Sequence, residues 1–441
     1  MRLASRRGAG AWSLAFVAIV VVVSGVLSVT RQEPIDLPAA LEQLLDQRTA
    51  GEKAIAAAQT RLANAPGDPS AMAALASAYL VRVRETADPS YYTKAGELID
   101  RAQRLVPNDA DVLITAGSLA LSRHEFPTAL ADGERAARVA PFRPAAYGVL
   151  TDALVELGRY DEAVAAAQRM VDLRPDLASL SRVSYLRELH GDIPGALDAM
   201  RRALEAGAPR GEATAFVEAQ VGNLLFASGD LAGADHAYQS STHRVDDYVY
   251  GLAGMARIRA ARGDLAAAAT LYAKAADRLP VPDVVMALGD TYAKMGDRVD
   301  AETQYALVGA IEKLLAASGV RVDADLALFD LDRDRASGGA LAAARTEYAV
   351  RPSTPVEMIL AWAEYKSGDV TSADRHAIDA LRLGWRDPLA LYRAGVIADA
   401  AGDIPRAAAL LNGSSQLNPE FSTLYANDLA MRLAHLRAVA R

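Results

Sequence analysis

The feature that most restricts this chain is a short unit that returns along most of its length. Residues Pro144 to Pro175 read PAAYGVLTDALVELGRYDEAVAAAQRMVDLRP and divide at Gly158. Before the glycine, Tyr147, Leu150, Leu154 and Val155 fall at helical spacing. After it, Ala163, Ala167, Met170 and Leu173 do the same, so each half reads as an amphipathic helix of about three turns. Gly158 suits the end of the first helix, where a left-handed residue costs little only for glycine. Asp161 and Glu162 favour the positive end of the second helix, and Pro175 stops it. One such hairpin cannot bury its apolar face alone, whereas stacked copies share a continuous core.

The unit recurs. Six turns read Gly-Asp: Gly191-Asp192, Gly229-Asp230, Gly263-Asp264, Gly296-Asp297, Gly368-Asp369 and Gly402-Asp403. Gly158-Arg159 is a seventh, and His124-Glu125 occupies the same slot. Alanine follows five residues later each time, at Ala129, Ala163, Ala196, Ala234, Ala268, Ala301, Ala373 and Ala407. The intervals 124 to 158, 229 to 263 and 368 to 402 are 34 residues, and those from 158 to 191 and 263 to 296 are 33. Small residues at that position suit close approach of two helices, and the period belongs to helical-hairpin arrays. With an aromatic at its fourth position, Leu at the seventh, Gly-Arg-Tyr at the turn, Ala at the twentieth and Pro at the thirty-second, the unit resembles the tetratricopeptide repeat. The resemblance covers nearly everything after residue 35. It implies an all-α solenoid of about eleven repeats over 37–419, closed by a C-terminal capping helix over 420–441 whose exposed face carries Arg432, His435 and Arg437. Less regular copies are expected at 35–66, 69–107 and 320–352, with an extended second helix running through Leu315. The blocks 183–228 and 325–419 are also similar to a bacterial group of membrane-attached proteins of this repeat class, a likeness that implies no activity.

The N-terminus differs in kind. Residues 1–10 carry Arg2, Arg6 and Arg7 and no acid, and the nineteen residues 11–29 carry no charge. That length spans a bilayer, and the arginines would hold their side in the cytoplasm, placing the repeats outside. A cleaved signal peptide ending near Val26-Leu27-Ser28 is the competing reading, giving a secreted protein. Ser5-Arg6-Arg7 looks like a twin-arginine signal but lacks its apolar continuation. Residues 30–36 read as a linker.

Composition narrows the chemistry. Hydrophobic content is 51% with only 6% aromatics, which fits alanine-rich packed helices rather than a β sandwich. With no cysteine, disulfides, thiolate zinc sites, a cysteine nucleophile and a lipoprotein anchor are excluded. Removing Arg2, Arg6 and Arg7 from the 47 basic groups leaves 44 against 55 acidic ones. A body that acidic argues against nucleic acid as ligand, since phosphate contacts need a basic face.

No catalytic or cofactor motif appears, so the expectation is a non-enzyme without cofactor or metal. His236 and His243, seven apart, read as surface residues rather than a zinc pair. Asp330-Leu-Asp332-Arg-Asp334 has the alternate acids of a calcium loop, but Arg335 stands where glycine is needed and Leu341 where a bidentate acid is needed, so a solvated turn is expected.

What the repeat resemblance implies is a concave groove lined by the first helix of each hairpin, contacted from its second, fifth, ninth and twelfth positions. Those positions include Tyr185, Glu188, Asn223, Phe226, Arg257, Met286, Asp290, Met358, Trp362, Tyr365, Tyr392 and Asp399. The eight residues expected to bind a partner are Tyr185, Asn223, Phe226, Arg257, Asp290, Trp362, Tyr365 and Tyr392, with aromatics as anchors and polar groups fixing register. The alternative for the aromatics is packing between helices. Asn223 sits where the family's carboxylate clamp has its asparagine, but Ala219 and Gly254 replace the partners of that clamp; Arg257 is left to meet a single acidic group. The expected function is a protein–protein scaffold of the cell envelope. The alternatives are an accessory subunit of a membrane enzyme or transporter, and a hydrolase with an unrecognised site.

Overall fold

Each Gly-Asp pair performs two local tasks, and the repeated hairpin follows from them. In the computed structural model the glycines of these turns take positive φ, from +74° at Gly191 to +89° at Gly368. The adjoining aspartate then caps the next helix. Asp192, Asp230, Asp264, Asp297, Asp369 and Asp403 each accept the N–H three residues on, at 2.8–3.1 Å. One residue reverses the chain and the next satisfies an orphan donor of the helix that follows. His124 fills the glycine slot at φ +59°.

The structure describes residues 50–321, 328–329, 331–333 and 339–439. The basic segment 1–10, the apolar segment 11–29 and the linker 30–36 lie outside the described residues. Among the described residues no helix is long and apolar enough to cross a membrane. The fold is that of the described residues from Gly51 onward, which belong to one compact unit.

The described residues contain helices and no strand. The helices are α1 (Ala50–Asn64), α2 (Pro69–Thr86), α3 (Ser90–Leu105), α4 (Ala110–Ser122), α5 (Phe126–Val139), α6 (Pro144–Glu156), α7 (Tyr160–Leu173), α8 (Leu177–Leu189), α9 (Ile193–Ala206), α10 (Glu212–Ala227) and α11 (Leu231–Arg244). They continue with α12 (Val249–Ala261), α13 (Leu265–Arg278), α14 (Pro282–Met295), α15 (Arg298–Ala317), α16 (Ala340–Val350), α17 (Thr354–Lys366), α18 (Val370–Ala380), α19 (Pro388–Ala400), α20 (Ile404–Leu417) and α21 (Ala426–Val439). From α2 to α15 and from α17 to α20 they pair as antiparallel hairpins stacked side by side. The alanine five residues after each turn is buried in all eight copies. Buried among packed helices, it leaves little room for a larger side chain. As the sequence predicts, α15 is long, at 20 residues.

The stack coils until distant repeats touch. Gly158, Gly191 and Gly229, at three successive turns, lie against the backbone carbonyls of Pro352, Gly384 and Leu417. Arg351 Nε donates to Glu156 Oε2 at 2.6 Å, and Asn418 Nδ2 donates to the Phe226 carbonyl at 2.8 Å. The partners are 195 and 192 residues apart, so the offset is nearly constant along the array. A regular per-repeat rotation produces such an offset.

The C-terminus departs from expectation. The final helix begins at Ala426, not at residue 420. Ser422 intervenes, its hydroxyl accepting the N–H groups of Leu424 and Tyr425. The stretch 420–425 crosses instead toward α14, where Lys294 Nζ donates to the Thr423 carbonyl at 3.0 Å. Leu429, Leu433 and Leu436 of α21 are buried. Arg432, expected on an open face, pairs with Asp428 and Asp399; His435 and Arg437 are exposed.

Candidate functional site

Three consecutive first helices, α6, α8 and α10, enclose a cavity of about 460 Å³ on their shared side. Thr151, Asp152, Val155 and Glu156 come from α6, and Ser181, Arg182, Tyr185 and Glu188 from α8. Phe216 and Gln220 come from α10. Each helix presents residues three or four apart to the same side, which is why one face can line one cavity.

The charges of this cavity are unevenly matched. Arg182 forks onto Asp152, with Nε–Oδ1 at 2.8 Å and Nη2–Oδ2 at 2.6 Å. Glu156 is held by Arg351 from the far side of the coil. Glu188 has no hydrogen-bond or ion-pair partner among the described residues. Burial, with Asp387 nearby, pushes its carboxyl up to about 7. Two aromatic rings stay reachable in the same space, Tyr185 at 39% exposure and Phe216 at 40%. Tyr185 is nonetheless crowded by its neighbours, and burial followed by Glu156 and Glu188 pushes its phenol far above the ordinary range. The row of reachable rings continues to Tyr250 of α12, whose ring meets Phe216 edge-on at 6.3 Å between centroids.

The eight sequence-predicted contacts divide. Tyr185 lines the cavity. Asn223 and Arg257, both partly buried, engage each other: Arg257 Nη2 donates to Asn223 Oδ1 at 2.5 Å, and Tyr238 donates to the same oxygen at 2.9 Å. The guanidinium of Arg257 lies 4.3 Å from the Phe226 ring centre. Arg257 therefore meets an amide, a phenol and a ring of its own chain rather than an acid.

Phe226, Asp290, Trp362 and Tyr392 are buried, the last two at 2%. Asp290 is forked by Arg333 at 2.7 and 2.8 Å and accepts from Tyr305. Trp362 stacks on Tyr365 at 5.1 Å, and Tyr392 stacks on Tyr425 at 5.0 Å. These side chains hold helices together and present little surface to a ligand. For Trp362 and Tyr392 the physical reason is the C-terminal stretch, whose Phe421 and Tyr425 pack on them; Phe226 is covered by Arg257, and Asp290 by Arg333 and Tyr305.

Asp332 corrects a second expectation. It is not solvated: Trp362 Nε1 and the Tyr425 hydroxyl each donate to its Oδ1 at 2.6 Å, and Arg393 pairs with its Oδ2 at 3.0 Å. The flanking Asp330 and Asp334 lie outside the described residues. His236 and His243 are exposed, and among the described residues no group of acids and histidines is arranged to hold a metal ion.

Phe216 was not singled out from sequence, although a signal existed. It holds the second register position of the helix whose ninth is Asn223. The cavity itself had no sequence signal, since it depends on which of the groove positions remain uncovered.

The tetratricopeptide repeat family profile matches residues 114–178 and 360–419. No curated protein matches the chain by sequence. Among solved structures, the chain is similar to PilW, described as a widely conserved type IV pilus biogenesis factor, at 16% identity. That likeness covers 46% of this chain and 92% of that one, with a TM-score of 0.39. It is similar to YrrB, described as a TPR protein with an unusual peptide-binding site, at 19% identity over 42% of this chain and 94% of that one, TM-score 0.30. Human IFIT1, solved as a dimer with PPP-AAAA, is 11% identical over 79% of this chain and 82% of that one, TM-score 0.44. Identities this low carry no activity or ligand from those proteins to this chain. The matched segments lie on hairpins whose turns, caps and buried alanines recur along the array, so the chain carries tetratricopeptide repeats.

Proposed function

We propose that the chain is a non-catalytic scaffold of the cell envelope that takes peptide segments of partner proteins into the concave face at α6, α8 and α10. The observation that carries this reading is the cavity spanning those three helices, with the reachable rings of Tyr185 and Phe216 beside paired and unpaired charges. Aromatic anchors with fixed polar neighbours are what a peptide groove needs, and a groove built on stacked helices is formed before the partner arrives. Proteins of this repeat family act as interaction scaffolds in general. The basic stretch 1–10 followed by the uncharged 11–29 supports an anchor in the cytoplasmic membrane with the repeats outside it.

Crosslinking of the tagged full-length protein in its native membrane tests the proposal. The wild type is compared with a double variant, Tyr185→Ala and Phe216→Ala. One or a few proteins recovered with the wild type and lost with the variant support the groove. Equal recovery from both refutes it. Protease protection in intact cells tests the orientation, and repeats shielded inside the cytoplasm refute the envelope placement.

A further inference from the structure

The cavity between α6, α8 and α10 holds four charged residues, and three of them are already neutralised. Asp152 and Arg182 satisfy each other bidentately, and Glu156 is held by Arg351. What remains is one carboxylate, Glu188, one helical turn from Tyr185 on the same face of α8. Glu188 lines the cavity, and no described residue donates to its carboxylate. Another acid, Asp387, acts on it electrostatically from outside the cavity lining, where it caps α19 by accepting the Ala390 N–H at 2.8 Å.

We infer that this cavity is a subsite for one lysine or arginine side chain of a bound peptide, received against the Tyr185 and Phe216 rings and neutralised by Glu188. The inference rests on the groove reading above and adds what the groove selects. Two reachable aromatic rings offer a cation the attraction of their quadrupoles, worth about 0.5–2 kcal/mol in partly desolvated sites. An ionised carboxylate adds a charge-assisted hydrogen bond to an ammonium or a guanidinium. An acidic or apolar side chain gains neither, and an acidic one would be repelled by Glu188. The elevated proton affinity of Glu188 agrees with a carboxylate that lacks its counter-ion.

The same geometry sets a proton readout. A cation bound beside Glu188 favours its ionised form, so binding near neutral pH releases a proton from this group.

Random short peptides displayed against the full-length protein in detergent micelles test the inference. The expected result is a set of binders sharing one lysine or arginine. Their affinity falls at least tenfold in Glu188→Gln, and falls equally when that lysine is replaced by norleucine. The two changes together cost no more than either alone, because each removes the same contact. Calorimetry in buffers of different ionisation enthalpy shows proton release with the wild type at pH 7 and none with Glu188→Gln. Binders that lose affinity in the variant carrying Tyr185→Ala and Phe216→Ala, yet share no basic residue and ignore Glu188→Gln, overturn the cation subsite and leave the groove standing. Binders indifferent to the aromatic variant, or no binders, overturn the groove and the subsite with it.

Discussion

Tyr160 and Thr354, 194 residues apart, meet in the buried seam between distant repeats. The Thr354 N–H donates to the Tyr160 hydroxyl at 2.7 Å, and that hydroxyl lies 3.3 Å from Thr354 Oγ1. Thr354 is the first residue of α17, and its N–H is an orphan donor of that helix start. The preceding Ser353, the N-cap residue, makes no side-chain cap bond. A phenol from another repeat therefore caps α17, and the coil closes through a contact that also completes a helix.

Tyr160→Phe keeps the ring and removes the acceptor. Thr354 N–H is then buried without a partner, which costs about 1–3 kcal/mol. Hydrogen exchange should show lower protection at the start of α17 and at α7, with the repeats near α2 unchanged. Unaltered protection at α17 would remove the capping role.

Gly229 and Gly263 form a matched pair. Both have φ +83°, but a Cβ at Gly229 meets the Leu417 carbonyl and one at Gly263 meets nothing within 4 Å. Gly263→Ala should cost only the left-handed penalty, about 1–2 kcal/mol. Gly229→Ala adds the collision with a backbone atom, roughly another 1–3 kcal/mol. Urea midpoints of the two variants measure the difference, and equal midpoints would show that the seam between distant repeats does not contribute.

Asp332→Ala removes the acceptor shared by Trp362 and Tyr425 and leaves Arg393 as a buried cation without its pair. Breaking one side of such a network costs about 3–5 kcal/mol. Tryptophan fluorescence and near-ultraviolet circular dichroism should report loosening around Trp362, while far-ultraviolet helicity is largely retained. A native-like near-ultraviolet spectrum at full stability would contradict this role.

Glu188 makes stability depend on pH. Its carboxyl is raised from 4.5 to about 7, so the folded protein holds a proton that the unfolded chain releases earlier. Between those values the folded state binds more protons, and stability falls as pH rises. Glu188→Gln removes that loss. The variant should match the wild type near pH 4 and exceed it by about 1–2 kcal/mol at pH 8, a figure reduced for a group that still reaches solvent. Thermal melts at the two pH values decide it, and a constant gap at both would assign the effect to something other than ionisation.

The sequence by itself determined the hairpin and its repetition. Gly-Asp fixes a reversal and a helix cap within a few residues, and the alanine five positions on fixes the close contact inside the same hairpin. Such signals are local, so they read directly from the chain. Tertiary structure alone decided which groove positions remain open. Tyr185 and Trp362 occupy equivalent faces of their helices, yet one lines a cavity and the other is covered by Tyr425 and its neighbours. That difference comes from the seam joining Tyr160 to Thr354 and from the path of residues 420–425. Both arise because small rotations accumulate over many repeats until distant segments meet. No single repeat encodes that sum, so the fate of Asp332, the isolation of Glu188 and the covering of Trp362 appear only when the whole array is coiled.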